Sequence, residues 1–186
     1  RWWLVDSGHH TNERTPVREF LISARAHNTY VRGQEGLGPD EHEELDVILT
    51  GFSDENGLWQ VSGRSDRFLD GAAFERAVAI DKSTGAISVR DRFHEPSGAG
   101  QTWRGFLHFA PDLEVVLEGG WLVATDPGSG REMRIAIEGA VNLRVVAGQD
   151  HPLQGWVAQG KELLEAPVLE FETSGAHEVT MAITWR

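Results

Sequence analysis

The chain has no cysteine and only two lysines, Lys82 and Lys161. The first absence excludes a disulfide framework, a thiolate metal site and a cysteine nucleophile. It is compatible with reducing and oxidising compartments alike. The second absence means that fifteen of the seventeen basic residues are arginines. Arginine's planar fork matches carboxylate and sulfate geometry, although a genome or habitat biased toward arginine gives the same count. Positive charge is scarce overall: 29 acidic residues leave a net charge of −12. General binding to nucleic acid or to anionic membranes needs a positive field, so neither is expected. No apolar run approaches the roughly 20 residues of a membrane span, and no membrane insertion is expected. The opening "RWWLVDSG" lacks the cleavage pattern of a signal peptide. Also missing are a Gly-x-Ser-x-Gly elbow, a phosphate-binding loop and a dinucleotide fingerprint.

What is present is strand after strand. Apolar and polar residues alternate in many short runs, as in Met133, Ile135 and Ile137 against Arg134, Ala136 and Glu138. The pattern predicts strands at 2–5, 18–24, 28–32, 44–52, 58–65, 73–81 and 86–93. Further strands are predicted at 101–110, 113–120, 121–126, 133–139, 141–148, 168–174 and 177–186. Turn signals such as "DENG", "DKSTG", "EPSGAG", "DPGSG" and "TSGAH" separate them. Only "KELLEAP" (161–167) reads as helical. With 186 residues and 40% hydrophobic content a sizeable core is available. The expected fold is all-β: a large two-sheet antiparallel β-sandwich, formed as a single domain over 1–186.

One stretch carries unusual chemistry. Numbered as a strand, "SARAHNTYVRGQ" (23–34) and the residues before it put Phe20, Ile22, Ala24, Ala26 and Tyr30 on one side. Ser23, Arg25, His27 and Thr29 fall on the other. That polar row suits a solvated strand face or one wall of a site. Asp6, in "DSGHH", lies 21 residues before His27, and pairing of the two strands would bring them together. An aspartate and a histidine can then supply two ligands of a zinc site, with Asn28 or Arg25 ordering the surroundings. Asp-Ser-Gly is also an ordinary way to leave a strand. His9 and His10 are neighbours and would face opposite ways on a strand. His94 and His108 sit where a core or hydrogen-bonded histidine is commoner than a ligand. The seven tryptophans suit stacking on sugar rings, but Trp59, Trp103, Trp121, Trp156 and Trp185 have strand contexts that favour packing. At most one or two tryptophans are expected to be exposed for a ligand.

Taken in order, "LVDSG", "REFLISARAHNTYVRGQE", "RAVAID", "ISVRDRF", "LHFAPDLEV" and "GWVAQGKELLEAPVLEF" resemble one family. It is the C-terminal β-sandwich region of the heparinase II/III-like polysaccharide lyases. Most specific is "DSG" followed some twenty residues on by "ISARAHNT". The resemblance implies a supersandwich-like fold preceded in the parent chain by an N-terminal α-helical toroid, with the active site between them. It implies β-elimination on an acidic polysaccharide rich in uronic acid, such as heparan sulfate or alginate: a base removes the C5 proton, a neighbour neutralises the carboxylate, and an acid protonates the leaving oxygen. A structural zinc is implied too, with Asp6 and His27 among its ligands and a third ligand upstream. Arg25, Asn28 and His10 are the implied candidates to line the substrate cleft. Periplasmic or secreted localisation goes with the family.

Two departures qualify the transfer. The family's strand before Asp-x-Gly, with a catalytic histidine and a zinc ligand, and the toroid tyrosine have no counterpart in these residues. Where the family has aromatic residues after Asp-x-Gly, this chain has His9 and His10. The chain is therefore expected to be a piece of a longer enzyme and inactive alone. The competing expectation is a non-catalytic carbohydrate-binding or structural module of an exopolysaccharide-processing protein, which the negative charge favours.

Overall fold

A computed structural model describes residues 1–33, 47–66, 71–96, 101–173, 175 and 177–186. The predicted strand start at 44–46, part of the turn "EPSGAG" and two residues of "TSGAH" lie outside them.

The alternation read from the sequence builds two antiparallel sheets. The strands in chain order are β1 (Tyr30–Arg32), β2 (Val47–Glu55), β3 (Leu58–Ser65), β4 (Ala73–Asp81) and β5 (Ile87–His94). Next come β6 (Trp103–His108), β7 (Glu114–Glu118), β8 (Trp121–Thr125), β9 (Glu132–Glu138) and β10 (Ala140–Val146). Two short hairpins follow, β11 (Gln149–Asp150) with β12 (Leu153–Gln154), and β13 (Trp156–Gln159) with β14 (Glu162–Glu165). The last two strands are β15 (Val168–Thr173) and β16 (Glu178–Trp185). The larger sheet has eight strands in the order β2-β3-β4-β5-β16-β9-β8-β7, and the smaller has four, β1-β6-β15-β10.

The main core lies between the sheets. Met181 and Ile183 of β16, Met133 and Ile135 of β9, Leu107 of β6 and Leu169 and Phe171 of β15 meet there, each no more than 5% exposed. Burying one such side chain is worth about 1.5–3 kcal/mol, and the sandwich expected from the sequence is formed this way. Behind the smaller sheet lies a third layer. It consists of α1 (Pro16–Leu21), a single 3₁₀ turn (Ala24–Ala26) and the two hairpins, joined over Phe20, Leu21 and Ala26.

This third layer corrects the strand predicted at 18–24. Thr15 caps α1, its Oγ1 accepting the Arg18 amide at 3.2 Å, and Pro16 opens the helix. A cap followed by proline starts a helix whatever the alternation downstream. The helix predicted at 161–167 is likewise a strand. β14 pairs with β13 in register, so tertiary pairing outweighs the local propensity of "KELLE". Of the strand predicted at 2–5, only a bridge from Leu4 to Phe109 forms.

Candidate functional site

The candidate site lies where the first ten residues cross the third layer. Asp6 turns the chain: its Oδ1 accepts the Gly8 amide at 3.0 Å. Gly8 holds a φ of +73°, and the Ala158 carbonyl oxygen stands 2.8 Å from where a Cβ would be. Only glycine meets both demands. The segment is fixed to β13 by the Ala158 amide, which donates to the Ser7 carbonyl at 2.8 Å.

From the other side the 3₁₀ turn delivers His27, whose backbone is extended again. The His27 Nδ1–H donates to Asp6 Oδ2 at 2.6 Å. The sequence expected these two residues to meet across paired strands. They do meet, but a helix and a turn bring them together. Both remain open to water, with side chains 36% and 63% exposed for His27 and Asp6. Burial pushes the Asp6 carboxyl up, but the His27 and Gly8 hydrogen bonds outweigh it and hold the acid below its ordinary range.

Under this pair sits His108, which has no solvent exposure. Its Nε2–H donates to the Arg25 carbonyl at 2.9 Å, and Nδ1 accepts the Ser7 hydroxyl at 3.1 Å. A carbonyl only accepts, which fixes the tautomer. Burial pushes the imidazole down to about 4, so it is neutral at pH 7. Ser7 is fully buried as well, which makes this pair a brace between layers rather than a nucleophile with its base.

The remaining candidates are placed as follows. Asn28 clasps two segments: its Nδ2 donates to the Val5 carbonyl at 2.9 Å, and its Oδ1 accepts the His108 amide at 2.7 Å. The Arg25 guanidinium reaches the other way, to the Leu153 carbonyl at 2.9 Å and Gln154 Oε1 at 3.4 Å. Burial lowers its pKa below the ordinary arginine value. His10 Nε2–H donates to the Lys161 carbonyl at 3.1 Å, and its Nδ1 is buried without a protein partner. A cleft of about 660 Å³ opens beside the site, lined among others by Trp2, Val5, Val157, Gln159 and Leu164. Among the described residues no group of three His, Cys, Asp or Glu side chains is arranged to hold a metal. Asp6 and His27 supply one oxygen and one nitrogen, which fits part of a zinc ligand set. Of the tryptophans, Trp2 and Trp121 are exposed and Trp103 is buried.

One element of the site was missed in the sequence. Asp91 of β5 is completely buried, and Arg76 of β4 grips it with Nε at 2.6 Å and Nη2 at 2.9 Å. The Tyr30 hydroxyl donates to the same carboxylate at 2.8 Å. Arg76 Nη1 also donates to the Asn28 carbonyl at 2.6 Å, tying the large sheet to the residue after His27. Burial and the neighbouring Asp91 together push the Tyr30 phenol well up. The signal existed: in "ISVRDRF" the acid occupies the same parity as Val89 and Phe93, an inward position.

Comparison with known proteins bears on the whole chain. The sequence profile described as heparinase II/III-like, C-terminal, matches residues 1–186. No curated protein matches. Among solved structures, a heparinase III gene product superposes with a TM-score of 0.77 at 12% identity, over 99% of this chain and 28% of that one. A mutant of the heparan sulfate lyase HepC from Pedobacter heparinus gives 0.75 at 14% identity, over 100% and 28%. The chain thus spans little more than a quarter of these relatives' length, and at such identity the likeness shows the fold.

Proposed function

The chain belongs to the heparinase II/III-like C-terminal family, and we propose that it is the sandwich domain of a polysaccharide lyase that cleaves uronic-acid-containing acidic glycans by β-elimination. The observation that carries this reading is the contact of Asp6 with His27 at 2.6 Å, in a family domain that holds both at an open surface. Asp6 and His27 would hold a structural zinc, with further ligands supplied by the rest of the parent chain. The ion would contribute a fixed positive charge beside a polyanionic substrate.

This chain's own residues do the positioning. Asn28 and the His108 brace keep His27 and Asp6 in place, and the neutral His108 adds no charge beneath them. Asn28 and His10 would line this side of a substrate cleft, whereas Arg25, also expected there, turns its guanidinium to the Leu153 carbonyl and Gln154. Catalytic groups would come from outside these residues, from the strand before Asp-x-Gly and from an N-terminal toroid, so residues 1–186, one domain, are inactive alone. The parent works in the periplasm or outside the cell. No described helix is long and apolar enough to cross a membrane. A second reading, a non-catalytic carbohydrate-binding or structural module for an exopolysaccharide, is favoured by the net charge of −12.

The test uses the full-length parent and its His27→Ala variant. Zinc is measured by inductively coupled plasma mass spectrometry, and unsaturated uronate product is measured on heparan sulfate and on alginate. Near-stoichiometric zinc lost in the variant, together with product from the wild type, is the expected result. A wild-type parent that yields no product from any acidic glycan overturns the lyase reading in favour of the module.

A further inference from the structure

Arg76 and Asp91 stand opposite each other on the paired strands β4 and β5. Asp91 is completely buried, and the Arg76 fork closes on it with Nε at 2.6 Å and Nη2 at 2.9 Å. The guanidinium stands over the Tyr30 ring, brought by β1 of the small sheet, with Cζ 5.8 Å from the ring centroid. The Tyr30 hydroxyl donates to the same carboxylate at 2.8 Å. A buried ion pair of this kind adds little net stability, because desolvation of the charges offsets their attraction. What it does supply is direction. With Nε and Nη2 of the planar guanidinium fixed on Asp91, the orientation of Nη1 is set as well, and it meets the Asn28 carbonyl at 2.6 Å.

That carbonyl belongs to the turn that presents His27. The Thr29 amide donates to the His27 carbonyl at 2.9 Å and closes a three-residue turn with Asn28 at its centre. The Asn28 side chain fixes where the turn sits, between the Val5 carbonyl and the His108 amide. The peptide that joins Asn28 to Thr29 is planar. Its carbonyl is held by Arg76, and its N–H holds the His27 carbonyl. One rigid plane therefore runs from the Arg76 guanidinium to the His27 backbone, and its rotation sets the aim of the imidazole. We propose that Arg76, oriented by Asp91 and Tyr30, is a positioning residue for the Asp6–His27 site. It locks the Asn28 turn so that His27 Nδ1 keeps its 2.6 Å contact with Asp6. It acts through one backbone carbonyl and not on the reacting groups. The inference rests on reading Asp6 and His27 as part of the lyase's zinc site.

The full-length parent carrying Arg76→Lys tests it, with Tyr30→Phe as the control. Lysine keeps a charge opposite Asp91 but has no fork to serve a carboxylate and a carbonyl in fixed directions. Phenylalanine removes one hydrogen bond to Asp91 and leaves the reach of Arg76 to Asn28 intact. Urea midpoints report what each change costs the fold. Zinc affinity, by chelator competition, is expected to fall about tenfold in Arg76→Lys, the low end of what supporting residues contribute around a metal, and to hold in Tyr30→Phe. A second readout needs no metal. In zinc-stripped protein labelled with 15N-histidine, at pH 8, the His27 signal is assigned by its loss in His27→Ala. It is expected to show the Nδ1–H form in the parent and in Tyr30→Phe, and a mixture of both tautomers in Arg76→Lys. Arg76→Met/Asp91→Leu, which buries no unpaired charge, carries the same expected site losses should the lysine variant not fold. Either readout unchanged in a folded Arg76 variant overturns the proposal, and so do equal shifts in Arg76→Lys and Tyr30→Phe. A parent that binds no zinc sinks the zinc reading alone, and the His27 signal then decides this inference. Lyase activity is scored separately, on unsaturated product from the wild type.

Discussion

The two ends of the eight-stranded sheet are written in the same alternating code and end in different surroundings. In β16 and β9 the inward residues Met181, Ile183, Met133 and Ile135 are at most 3% exposed, because the small sheet lies on them. In β2 and β3 the inward residues Phe52, Trp59 and Val61 have the same character and parity, yet they lie outside every core formed by the described residues. Alternation specifies which face of a strand is meant to be inside. It does not specify what arrives to cover it. Between the two ends stands the buried Arg76–Asp91–Tyr30 cluster.

That cluster gives the largest expected effect. Asp91→Ala leaves the Arg76 guanidinium without its counter-charge and the Tyr30 hydroxyl without its acceptor, and should cost about 3–5 kcal/mol in urea unfolding. Asp91→Asn should recover part of that loss through the Tyr30 hydrogen bond. A cost below about 1 kcal/mol would mean that water already reaches the cluster and that the covered end is narrower than described.

Matched truncations on either side measure the comparison itself. Ile183→Ala at the covered end removes a side chain that is 3% exposed and should cost about 2–5 kcal/mol. Val61→Ala, at the half-buried opposite end, should cost less than about 1 kcal/mol when residues 1–186 are unfolded alone. A cost for Val61→Ala as large as that for Ile183→Ala would remove the distinction between the two ends of the sheet.

Most of the sandwich was legible in the sequence because period-2 patterning is local and repeated. The third layer was not. "REFLISARAHNT" alternates well enough to pass for a strand, and the deciding signal was the Thr15-Pro16 cap two residues ahead of it. "KELLEAP" failed in the opposite direction, since helix formers yield when a neighbouring strand supplies a full register of partners. Asp6 and His27 were legible as a pair only by chemistry and order. Their route to contact runs through a helix, a 3₁₀ turn and the Gly8 turn, none of which a strand template contains. The buried salt bridge of Arg76 and Asp91 was written as two charges on inward positions, and needed only the parity count applied to polar residues.

A pH-dependent effect is expected at His108, buried between the small sheet and the layer behind it. His108 is neutral in the fold because burial pushes its pKa from the ordinary 6.5 down to about 4. Its unfolded form therefore binds more protons between those two values. The associated stability is fully present above pH 6.5 and is lost as the pH falls toward 4. The whole shift is worth roughly 3 kcal/mol, and the part lost between pH 7 and pH 5 is about 2 kcal/mol. His108→Gln retains hydrogen-bonding groups without the titration. Asp6 and other carboxylates with lowered pKa values add acid sensitivity of their own, so the quantity to measure is a difference: urea midpoints of wild type and variant at pH 7 and pH 5. The wild type should lose more stability than the variant over that interval. Parallel losses would mean that His108 is protonated in the folded state already at pH 5, and that the brace beneath Asp6 and His27 is open to solvent.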